Sequence, residues 1–154
     1  MTLPREGIVA EGSFLFPVRV YYEDTDAAGL VYYANYFRFA ERARTELLRQ
    51  LGFGQERQRA DTGLVFVVRR STADFLLPAR LDDDLVVLTR LAGLGAATLD
   101  LDQEVRRGEA ALVRLTFQIA AVGANGRPQR LPPPLRAALL SLNEATKMVT
   151  AHAR

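Results

Sequence analysis

Between Phe14 and Tyr22 the apolar residues fall on every second position, at Phe14, Phe16, Val18, Val20 and Tyr22, which is the period of a strand with one buried face. Pro17 removes a donor from that run and predicts an edge position or a late start. After the segment EDTDAAG the period changes. Tyr36, Phe39, Ala40, Ala43, Leu47 and Leu51 recur at helical spacing, while Arg38, Arg42, Arg44 and Arg49 fall largely off that stripe. This predicts one long amphipathic helix, with Gly52 as its C-terminal cap. A polar segment, QERQRADTG, leads to four further strand-like runs: LVFVV with ADFLL, LVVLTRL, TLDLDQEV and ALVRLTFQIAAV. The pieces GLGA, RRGE and GANG supply turn chemistry of hairpin length. Within TLDLDQEVR, Leu99, Leu101, Gln103 and Val105 alternate with Asp100, Asp102, Glu104 and Arg106, so one face is wet and the sheet is predicted to be antiparallel.

Pro132, Pro133 and Pro134 precede a second apolar stripe at Leu135, Ala138, Leu139 and Leu142. Proline is tolerated where the first amides of a helix have no intrahelical acceptor, so a short C-terminal helix is expected over about 134–148. The predicted order is a strand, a long helix, four strands in meander and a terminal helix. That is an α+β arrangement with the helix covering one face of the sheet. No repeat, low-complexity tract or linker divides 1–154, which reads as a single domain with its core over about 14–134.

Composition narrows the chemistry. The chain has 154 residues, nearly half of them apolar and a quarter charged, the profile of a globular protein able to bury a core. It contains no cysteine, which removes disulfides, thiolate nucleophiles and zinc-thiolate sites. No apolar run approaches a membrane span, and MTLPREGIVAEG lacks the basic start and apolar block of a signal peptide, so a cytoplasmic protein without stable membrane insertion is expected. The net charge is +2, with 20 basic side chains interspersed among 18 acidic ones. That balance argues against nucleic acid as a partner. The one histidine is His152, at the C-terminus, so Ser-His-Asp and Cys-His mechanisms and imidazole zinc sites are not expected. P-loop, dinucleotide and EF-hand motifs are missing. Carboxylates, tyrosines and backbone amides remain, and no metal or cofactor is expected.

These groups are densest in YYEDTDAAGLVYYANY, at the strand-to-helix junction, where Glu23, Asp24 and Asp26 lie within four residues. Asp26 either caps a turn or helix start or acts on a substrate, and spacing alone favours the cap. Gly29 permits a backbone conformation, or a ligand approach, that a β-carbon would hinder.

The segment RVYYEDTDAAGLVYYANYFRFAERARTELL resembles the signature of the 4-hydroxybenzoyl-CoA thioesterase family, especially the YbgC-type branch found with the Tol-Pal cell-envelope genes of bacteria. The resemblance rests on Arg19 and Val20, on Thr25-Asp26, Gly29, Leu30-Val31 and Tyr36, and it continues through ADFLLPARLDDDLVV and FQIAAVGANGRPQRLP. It covers about Phe14 to Pro134. It implies a hot-dog fold, an antiparallel sheet of five or six strands wrapped around the long helix. It also implies an acyl-CoA thioesterase that is a homo-oligomer, with a dimer carrying interfacial sites as the minimal unit and a tetramer expected. The acid matching Asp26 then serves as nucleophile or as base for water, and the amide matching Tyr33 polarises the thioester carbonyl. Gly29, Val31, Asn35 and Tyr36 are the expected substrate-binding residues of the motif. The YbgC-type branch usually carries histidine where this chain has Tyr33, whereas the 4-hydroxybenzoyl branch carries an aromatic residue. A phenol titrating near 10 cannot replace an imidazole base, so a mechanism through the Tyr33 amide and Asp26 is the one expected.

A hydroxyacyl dehydratase of the same fold needs an active-site histidine that this chain lacks; an acyl-CoA-binding or scaffold module with little turnover is the alternative. Asn35 either caps the helix or orients the Asp26 loop. Glu41, on the helix, is a reserve catalytic acid whose simpler reading is an ion pair at helical spacing. Arg69 and Arg70, on an otherwise apolar strand, either meet CoA phosphates across a subunit interface or form surface salt bridges. Asp82 to Asp84 reads as a solvated turn.

Overall fold

The computed structural model describes residues 7–152, and the side chains among them up to residue 143. Its elements are β1 (Ile8–Ala10), β2 (Ser13–Arg19), a 3-10 turn (Tyr22–Asp24), α1 (Tyr33–Gln50), α2 (Gln55–Thr62), β3 (Val65–Phe75), β4 (Asp84–Leu94), β5 (Thr98–Arg107), β6 (Ala110–Val122) and α3 (Pro133–His152). The strands form one antiparallel sheet in the order β1-β2-β4-β5-β6-β3. Six strands, a long helix and a C-terminal helix agree with the expected hot-dog architecture. The predicted first strand is shorter than its alternation, because the chain turns into the 3-10 helix at Tyr22. Pro17 pairs with Val86 on one side and lies beyond the reach of β1 on the other, where β2 is itself an edge.

The stripe on α1 faces the sheet. Tyr36, Phe39, Ala40, Ala43, Leu47 and Leu48 are buried against β2, β4 and β5. Ala40 and Ala43 are fully enclosed, so small side chains set the close approach of helix to sheet. Leu51 is the C-cap and Gly52, at φ 91°, ends the helix as its sequence predicts. From the sheet, Leu99, Leu101, Gln103 and Val105 of β5 all point into the core, as their alternation requires.

Gln103 is the polar member of that row, only 2% exposed. Its Nε2 donates to the Ala40 carbonyl at 3.0 Å and to Thr89 Oγ1 at 2.9 Å, and its Oε1 accepts from Arg44 Nη1 at 3.0 Å. Replacing it with leucine keeps the shape but strips a buried hydroxyl and a partly buried cation of their partner. Gln103→Leu is expected to cost about 2–4 kcal/mol, read by urea unfolding at fixed protein concentration. A loss within the few tenths typical of surface substitutions would contradict this reading.

Candidate active site

The junction between β2 and α1 is built from backbone hydrogen bonds that sort its three acids. Asp24 is buried: its Oδ2 accepts the Tyr21 amide at 2.8 Å, and its carbonyl accepts Asn35 Nδ2 at 2.7 Å and the Tyr32 amide at 3.0 Å. Glu23 is exposed on the 3-10 turn. Asp26 begins a tight loop closed by the Thr25–Val31 bridge and by its own amide bonding the Leu30 carbonyl at 2.8 Å. Its Oδ1 accepts the amides of Ala28 at 2.9 Å and Leu30 at 3.1 Å, while Oδ2 has no hydrogen bond within the protein among the described residues. The turn-capping reading of Asp26 therefore holds for one oxygen and leaves the other free.

Gly29 sits at φ +77°, and a β-carbon there would meet nothing within 4 Å. The glycine is required by the backbone, not by crowding. Gly29→Ala is expected to cost about 1–2 kcal/mol through left-handed strain and to loosen the Asp26 loop, measured as a lowered melting temperature together with reduced turnover. An unchanged melting temperature would rule out this role.

The loop is held against the β3–β4 connection. The Val31 amide bonds the Ala79 carbonyl at 2.9 Å, the Leu81 amide bonds the Gly29 carbonyl at 3.1 Å, and the Ala79 amide donates to the Tyr36 hydroxyl at 2.9 Å. Tyr36 is buried, and that desolvation pushes its phenol above the usual range. It is a brace. Asn35 also resolves: its side chain anchors the Asp24 carbonyl, and α1 has no side-chain cap. The result is a groove of about 290 Å³ lined by Asp26, Leu30, Val31, Tyr33, Tyr36 and residues 75–78. The Tyr33 ring packs edge-on against Phe75 at 6.3 Å and lies 4.6 Å from the Tyr32 ring, so it forms wall. Its amide is the first of α1, where helical amides lack an intrahelical acceptor.

Asp26, Gly29, Val31, Tyr33, Asn35 and Tyr36 thus converge on one loop and one helix start. The other predicted residues stand apart from them. Glu41 lies eight residues along α1 from Tyr33, about 12 Å by helical rise, and forms no ion pair among the described residues. Arg69 and Arg70 are exposed in mid-β3, Arg69 being the extra residue of a bulge, and neither forms a salt bridge among the described residues. Asp83 and Asp84 pair with Arg107 at 2.7 Å and Arg19 at 2.8 Å, consistent with a structural turn. Among the described residues no cluster of three or more His, Cys, Asp or Glu is arranged to hold a metal ion. Sequence reasoning missed Phe75, Leu76, Leu77 and Pro78 as groove wall; the segment ADFLLPAR carried that signal only as part of a fold resemblance.

Comparison with known proteins accords with this geometry. The thioesterase superfamily matches over residues 28–113. Acyl-CoA thioesterase YbgC of Haemophilus influenzae is 42% identical over 129 residues, spanning 83% of this chain and 95% of that protein. Acyl-CoA thioester hydrolase YbgC of Escherichia coli is 46% identical over 100 residues, 65% of this chain and 74% of that protein. A crystal structure of a probable thioesterase from Bartonella henselae superposes with a TM-score of 0.74 at 39% identity, covering 77% of this chain and 98% of that one. With a hot-dog sheet around α1 and these relatives, the chain belongs to the thioesterase superfamily and is a thioester hydrolase of the YbgC type.

Proposed function

We propose that the chain hydrolyses acyl-CoA to a free acid and CoA, without metal or cofactor, using Asp26 and the Tyr33 amide. The observation that carries this is the Asp26 carboxylate on the wall of the groove at the start of α1, fixed through Oδ1 by two backbone amides with Oδ2 free of hydrogen bonds among the described residues. A carboxylate held this way is aimed without being consumed by its own hydrogen bonds. The helix start offers an unpaired donor and a partial positive charge to the developing oxyanion. In the base route, Asp26 takes a proton from water as the oxygen bonds to the thioester carbon. The tetrahedral intermediate then collapses, the carbon–sulfur bond breaks, and CoA leaves as thiolate. In the nucleophilic route Oδ2 itself attacks the thioester carbon, the carbon–sulfur bond breaks and CoA leaves as thiolate, and water then cleaves the resulting mixed anhydride to the free acid and the Asp26 carboxylate. The names of the YbgC relatives support acyl-CoA as the substrate class.

A second copy of the chain completes the assembly in this reading. β3 is a sheet edge eleven residues long, and long open edges invite another strand. Val67, Val68, Tyr32, Tyr33, Phe75, Leu76 and Leu77 are exposed beside it, an apolar surface that supports a dimer with the groove at its interface and a tetramer built from such pairs. Arg69 and Arg70 would then face CoA phosphates from the partner's side. The weak-turnover binding module is favoured only by Tyr33 standing where the branch carries histidine. Thiol release from a panel of acyl-CoAs separates the two: CoA release at rates well above background supports the hydrolase, and binding without release supports the module.

A further inference from the structure

A second cavity, of about 180 Å³, lies between α1, the inner face of the sheet and α3, and shares no lining residue with the Asp26 groove. Its walls are mostly aliphatic, including Leu47, Leu48, Leu99, Leu101 and Ile119. One cation faces this apolar space. Arg44 is stacked over Phe117, its guanidinium carbon 4.1 Å from the ring centroid, and one nitrogen is held by Gln103. It forms no ion pair among the described residues. Burial pulls its pKa downward, with the charge of Glu41 opposing. A guanidinium has five N–H donors, and here a single one of them has a protein acceptor among the described residues. An unpaired, partly desolvated cation is costly, and a carboxylate is the group whose two oxygens match its fork.

We infer that this cavity binds a small carboxylic acid, its carboxylate on Arg44 and its apolar part among the leucines. The size fits a single ring or a short chain, since an apolar cavity of roughly 150 Å³ already takes up benzene. Glu41, the other charged group on the wall, is exposed, and its negative charge disfavours a hydrated dianion such as phosphate. The apolar tail must therefore contribute to affinity. The acid released by thioester hydrolysis falls in this class, and only that connection rests on the proposed reaction.

The test titrates benzoate, with benzamide as its neutral counterpart, into ¹⁵N-labelled protein. Benzoate is expected to shift amides around residues 44–48, 99–101 and 119, and to bind at least tenfold more tightly than benzamide. Arg44→Gln is expected to weaken benzoate tenfold or more. Leu48→Phe, which fills the cavity and leaves Arg44 in place, is expected to abolish the shifts. Asp26→Asn is expected to leave them unchanged, so the cavity stands or falls independently of the catalytic assignment. Shifts confined to residues 26–36 and 75–78, equal affinity for benzamide, or unaltered binding in Arg44→Gln would each overturn the inference.

Discussion

Asp26→Asn is expected to lower kcat for acyl-CoA hydrolysis by about 10²- to 10⁴-fold, the usual contribution of a positioned general base. The substitution is well suited to the geometry. An asparagine carbonyl can still accept the Ala28 and Leu30 amides now bonded by Oδ1, so the loop keeps its shape while the free oxygen becomes an amide that neither takes a proton nor attacks. KM and melting temperature are expected to change little. Turnover within threefold of wild type would sink the assignment of Asp26. A single turnover in ¹⁸O water then tests the covalent route, because label in the Asp26 carboxylate requires a mixed anhydride opened by water at the aspartyl carbon.

Elements that bury one face announced themselves. The α1 stripe and the alternation in β5 each correspond to residues against the core, because burial is what enforces a period. α2 left no such trace: none of its residues is buried, and its helical geometry is accompanied by Arg59–Glu56 and Arg57–Asp61 pairs and a left-handed Gly63. β1 is three residues long, joined to β2 through Glu11 and Gly12, both at positive φ. Glutamate is an unusual occupant of that turn, so the usual Asn-Gly or Asp-Gly signal was missing.

The site divides in the same way. Asp26 and Gly29 were legible because turn chemistry is local, and the buried role of Asp24 was not, since it depends on Asn35 eleven residues away. Arg44 read as a residue off the apolar stripe, and Gln103 read as one more member of an alternating row. Only the folded chain brings them to 3.0 Å and sets Phe117 beneath the guanidinium. Long-range pairing between a helix and a strand has no sequence period to reveal it.

Tyr33→Pro is expected to lower kcat by about 10²- to 10³-fold, the cost of removing one oxyanion donor, while Tyr33→Ala retains most of the turnover. The pair isolates the amide from the ring. Tyr33 is the first residue of α1, where a missing N–H breaks no helical bond and proline's fixed φ suits the helix. Tyr32 before it has φ −64° and ψ 132°, the extended conformation that a following proline requires. Proline therefore deletes the donor without unravelling the helix, which unchanged circular dichroism and melting temperature would verify. Both variants lose the packing of the Tyr33 ring on Phe75, so any effect of that wall on KM appears in both and cancels in the comparison. If Tyr33→Ala fell as far as Tyr33→Pro, the phenol would be the catalytic group. If neither fell, the oxyanion would be stabilised elsewhere. Only loss in the proline variant alone fits a mechanism in which the helix start does the work that the branch's histidine side chain is not present to do.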